Sequence, residues 1–64
     1  MGWENRYRIL TNWKRYRANL ERGLPAMRRE TPELVNNELA RIAKIDQIIA
    51  RNQEQLDQLL QSPE

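Results

Sequence analysis

The sequence predicts an all-α fold: an antiparallel two-helix hairpin whose core a partner completes. Three observations lead there. Apolar residues recur at steps of three and four through both halves of the chain. Gly23 and Pro25 interrupt that pattern once, between the halves. The 64 residues include no cysteine and no histidine, so neither a disulfide nor a zinc site reinforces a thin core. Oligomerisation into a helical bundle, or docking on a larger protein, is the remedy that remains.

Helix one is expected over about 3–22. Ile9, Trp13, Tyr16 and Leu20 step by four, three and four along one face, and Trp3, Tyr7 and Leu10 form an adjoining row. On this reading the four aromatics, Trp3, Tyr7, Trp13 and Tyr16, pack inward. Gly23 supplies a left-handed stop and Pro25 bars continuation. Residues 23–31 form the connector, with Leu24 and Met27 folding back on the hairpin.

Helix two is expected over about 32–61. Thr31 suits the N-cap, Pro32 the first helical position and Glu33 the first turn. Its main row is Val35, Leu39, Ile42, Asp46, Ile49, Gln53, Leu56 and Leu60, alternating steps of four and three like a coiled coil. A parallel row holds Leu34, Ile45, Ile48 and Leu59, interrupted by Glu38, Arg41, Asn52 and Gln55. Residues 62–64 read as a frayed tail.

These lengths set an expected register. Arg17 should lie opposite Glu38, Trp13 opposite Ile42, and Arg6 and Leu10 near Asp46 and Ile49. Helix one then ends near Asn52, and Leu56, Leu59 and Leu60 overhang without an intramolecular partner. Charges near the apolar faces are read as cross-helix pairs that hold register.

Charge divides along the chain. Residues 1–29 hold eight basic side chains against Glu4 and Glu21, a net +6. Residues 30–64 hold three against seven acids, a net −4. Within the basic half, Arg8, Asn12, Arg15, Asn19 and Arg22 lie on one face, opposite the apolar one. Arginine and asparagine are side chains that contact phosphates and base edges. Arg28 and Arg29 add charge at the hairpin end.

No site for catalysis is visible. The chain has no histidine, no cysteine, no glycine-rich phosphate loop and no nucleophile motif, and Ser62 is its only serine. No enzyme activity, cofactor, metal or small-molecule substrate is expected. The longest aliphatic run, Ile48-Ile49-Ala50, is far from the ~20 residues of a spanning helix. Met1-Gly2 does not complete a myristoylation signal, because Arg6 stands where serine or threonine belongs. A membrane surface is therefore not an expected partner, and a cytoplasmic location is.

The chain thus reads as one domain, residues 1–64. Its expected function is that of a non-catalytic interaction module, forming a homodimer or docking onto a larger assembly through helix two. The expected contact residues are Ile45, Ile48, Ile49, Leu56, Leu59 and Leu60. The alternative is a small RNA- or DNA-binding protein using Arg8, Asn12, Arg15, Asn19, Arg22, Arg28 and Arg29.

Overall fold

The structure, a computed structural model, describes residues 2–61. Met1 and the tail read at 62–64 lie outside the described residues. Two helices, α1 (Gly2–Glu30) and α2 (Val35–Gln61), form an all-α hairpin. Thr31 and a short 3-10 turn, Pro32–Leu34, join them. Among the described residues there is no strand.

The corner of the hairpin is not where Gly23 and Pro25 suggest. α1 continues through both residues for a further two turns. Proline inside a helix removes one hydrogen bond and crowds the preceding turn, at a cost of about 3 kcal/mol. Continuation brings compensation. Leu24 becomes a buried residue of the hairpin, and Met27 is half-buried. Burying a leucine contributes about 2 kcal/mol, and the extra turns add backbone hydrogen bonds. Pro25 itself points outward and is exposed. Gly23 adopts no left-handed conformation, and nothing lies within 4 Å of where its Cβ would be.

Chain reversal falls to Thr31 instead. Its backbone N–H donates to the Met27 carbonyl at 2.8 Å, closing the last turn of α1. Its carbonyl accepts from the Leu34 N–H at 2.9 Å, opening the 3-10 turn. The Thr31 hydroxyl makes no cap to the following helix and points back to the Met27 carbonyl at 3.5 Å. The expected side-chain N-cap is therefore absent. Pro32 does begin the next helical segment, where its missing N–H costs little.

Moving the corner shifts the register by about two turns. Arg17 bonds Asp46 and not Glu38, and Arg6 donates to Gln55. At the open end, the Cβ position of Gly2 lies 3.9 Å from Leu59 Cδ1. Residues whose numbers add to about 62 are therefore level with one another. The two helices have 29 and 27 residues, about 44 and 41 Å long at 1.5 Å per residue. Their near-equal lengths abolish the overhang. Leu56 is only 4 % exposed, buried within the hairpin.

The new register selects a different inner face on each helix. On α1 the seam is Arg6, Leu10, Trp13, Arg17, Leu20, Leu24 and Met27. On α2 it is Val35, Glu38, Ile42, Ile45, Ile49, Asn52 and Leu56. Both sets step regularly by threes and fours, the coiled-coil spacing, and every member is buried or half-buried. The α2 seam therefore runs between the two rows read from the sequence and takes alternate members of each. On α1, Leu10 is buried, while Ile9 and Tyr16, expected inside, stand on the flank.

Much of this seam is mixed. By the register, Leu10 is level with Asn52, Leu24 with Glu38, Arg6 with Leu56 and Arg17 with Ile45. Asn52 satisfies itself locally, donating from Nδ2 to the Ile48 carbonyl at 2.8 Å. Glu38, largely covered, has Arg41 Nε 4.0 Å away on the next turn. The fully buried apolar set is just Leu10, Leu24, Ile42, Ile45 and Leu56.

Candidate functional site

With a and d marking the heptad seam, each helix has two flanking positions, e and g, and an outer face, b, c and f. In an antiparallel pair, like flanks of the two helices meet. The two sides of the hairpin differ.

One flank is charged at its centre. It carries Lys14 and Glu21 from α1, with Asp46 and Gln53 from α2. Arg17 reaches out from the seam to bond Asp46, with a second contact from NH2 to Oδ2 at 3.5 Å. It also donates to Glu21 Oε1 at 3.1 Å. The Asp46 hydrogen bond and charge, with the charge of Glu21, raise the Arg17 pKa above its usual value, so the guanidinium stays charged at any ordinary pH. Gln53 donates to Asp57 at 3.0 Å on the same side of α2.

The other flank is apolar at its centre. Ile9 is 44 % and Tyr16 42 % exposed. Half-buried Ile48 stands beside them across the seam; toward the connector exposed Arg41 separates it from exposed Leu34. Trp13 meets Tyr16 edge-on, ring centroids 6.0 Å apart at 61°, so the seam and this flank form one aromatic surface. At the open end, Trp3, Tyr7, Leu59 and Leu60 are all exposed, Leu60 to 60 %.

The six contact residues expected from the sequence are thus divided. Ile45 and Leu56 are part of the hairpin's own core. Ile49 and Ile48 are half-buried, Ile49 in the seam and Ile48 on the apolar flank. Leu59 and Leu60 remain exposed at the open end. Sequence reasoning missed Trp3, Tyr7, Ile9, Tyr16 and Leu39 as surface residues, having placed all of them on the inner faces. The signal was present: Leu10, Trp13, Arg17, Leu20, Leu24 and Met27 already form a heptad row if Pro25 is allowed inside the helix.

The basic residues occupy α1's outer face. Arg8, Asn12, Arg15, Asn19 and Arg22 are all exposed, on the side opposite the seam. Because α1 is continuous, Arg29 joins them at the same heptad position as Arg8, Arg15 and Arg22. Arg28 is exposed but belongs to the charged flank.

Among the described residues no group of three or more acidic side chains could hold a metal ion. No helix there is long and apolar enough to cross a membrane. No family model, curated protein or solved structure matches this chain.

Proposed function

We propose that the protein is a non-catalytic helical interaction module that pairs with a second copy of itself along the apolar flank, forming a four-helix bundle. The observation that carries this is its surface. The hairpin has 5229 Å² of accessible area, against about 4,300 Å² for a compact monomer of its mass. The excess, about 900 Å², is the area one partner contributes to a standard stable interface. The shape agrees: the radius of gyration is 15.2 Å, where a compact chain of this length has about 11 Å. A rod of 52 × 15 × 11 Å offers long flat sides rather than an enclosed core.

Charge favours a second copy as the occupant. The flank carries one acid on α1, Glu30, and one base on α2, Arg41, so a two-fold arrangement that lays α1 of one copy on α2 of the other joins opposite signs. It also uses the same strip twice, Ile9 and Tyr16 of one copy meeting Ile48 of the other. A cysteine-free chain needs no oxidising compartment, which suits the cytoplasm.

Sedimentation equilibrium of the wild type beside an Ile9→Asp/Ile48→Asp variant tests the proposal, with circular dichroism to follow helicity. The expected result is a dimeric wild type and a monomeric variant of reduced stability. A wild type that remains a folded monomer at high concentration would reject self-association, and a variant that still dimerises would reject the apolar flank as its site.

A further inference from the structure

The continuity of α1 through Pro25 creates a feature that a helix ending at Arg22 would lack. Arg8, Arg15, Arg22 and Arg29 occupy one heptad position on a single unbroken helix. They form a ladder about 32 Å long with rungs about 10.5 Å apart. Asn5, Asn12 and Asn19 stand beside it at the neighbouring position, all exposed. We infer that this ladder is a binding surface for the phosphate backbone of a double-stranded nucleic acid.

The ladder does not have the composition of an ordinary solvated helix face. Such faces mix signs, because acid-base pairs three or four residues apart stabilise the helix. Here the outer face holds no acid between Arg8 and Arg29, although Glu4 stands one turn before the first rung and Glu21 flanks Arg22. Among the described residues none of the four ladder arginines makes an ion pair, whereas Arg17 and Arg41 elsewhere do. Every rung is arginine and none is lysine. The planar guanidinium fork matches phosphate oxygens and keeps its charge.

The same face discriminates among polyanions. A single strand is held by aromatic platforms interleaved with cations; Trp3 and Tyr7 share a surface hollow with Arg8 and Arg15 at the open end, but Trp13 and Tyr16 lie off the outer face and no aromatic stands within a turn of Arg22 or Arg29. An anionic lipid surface takes up an apolar stripe beside the charges, yet the outer face between Asn5 and Arg29 has only Thr11, Ala18, Pro25 and Ala26 besides its arginines and asparagines. A duplex carries one charge per about 1.7 Å of axis. A straight ladder laid along it spans about one helical turn, roughly 34 Å, so it crosses each of the two backbones about once while its other rungs lie over the grooves, and contacts made to phosphates alone are indifferent to sequence. The ladder lies on one helix, opposite the seam, and does not depend on dimer formation.

The test compares a short DNA duplex with single-stranded DNA and anionic vesicles as ligands. The proteins are the wild type, Arg15→Glu/Arg22→Glu, and Lys44→Glu/Arg51→Glu. The last pair makes the same charge change on exposed residues of α2. Two to four neutralised phosphates give a slope of about −1.8 to −3.6 in log affinity against log salt for each ladder engaged. The ladder variant should lose roughly half or more of that slope and about a hundredfold in affinity at low salt, and the α2 variant only a few-fold. Circular dichroism checks that both remain helical. Absence of duplex binding by the wild type at low salt would overturn the inference. So would equal losses in the two variants, or tighter binding to single strands or vesicles than to duplex.

Discussion

Along one edge of the hairpin seam Arg17 bonds Asp46 and Glu21, while along the other Ile9 and Tyr16 stand open to water beside half-buried Ile48. Both edges come from the same two helices and the same heptad. They differ in how their side chains are satisfied. The charged edge is closed at its centre within one chain: Arg17 meets Asp46 across the hairpin and Glu21 on its own helix, and exposed Tyr7, Leu39 and Leu60 lie only toward its ends. The apolar edge has no such closure, because two helices in contact cover only one side of each. A two-helix protein can place charges on one edge and leave the other as its means of association.

That contrast is most sharply tested by putting the same charge on each edge. Ile48→Lys introduces a cation on the apolar edge, where it should cost about 1–2 kcal/mol of stability through lost burial and also weaken association. Gln53→Lys, on the charged edge, should change stability by no more than about 0.5 kcal/mol. Denaturant titrations at several protein concentrations read both effects together. Similar costs at the two sites would mean that the edges do not differ in kind.

Gly23 lies at an apolar-flank position and gives a smaller effect of opposite sign. It is helical, exposed and free of neighbours at its Cβ position. Gly23→Ala should therefore stabilise the hairpin by about 0.5–1 kcal/mol, raising the thermal midpoint. A left-handed glycine at the end of a shorter helix would respond with a loss, so the sign of this one measurement also tests where the hairpin turns.

The smallest effect belongs to the charged edge. A double-mutant cycle on Arg17→Ala and Asp46→Ala should give a weak coupling that fades as salt is added, since the pair is solvent-screened. Its role is then to hold register and not to supply stability. A strong coupling that persists at high salt would show the charged edge to be as important to folding as the seam.

The helical class, the single interruption of the pattern and the division of charge between the halves are all local properties, legible without coordinates. Period and composition act within a few residues along the chain, and the basic outer face of Arg8 to Arg22 follows from the same spacing. The position of the corner was not legible in that way. Local preference at Gly23 and Pro25 favours a stop, and it yields only because Leu24 and Met27 find α2 to pack against. That gain exists only in the paired state. Everything downstream depends on it: Arg17 meets Asp46, Leu56 goes inside, Ile9 and Tyr16 turn outward, and Arg29 falls into line with the other arginines. The sequence by itself determined that this chain is two amphipathic helices of opposite charge. The tertiary structure decided which residues face each other, because register in a hairpin is set by where the chain turns, and the turn was chosen by packing between residues distant in sequence.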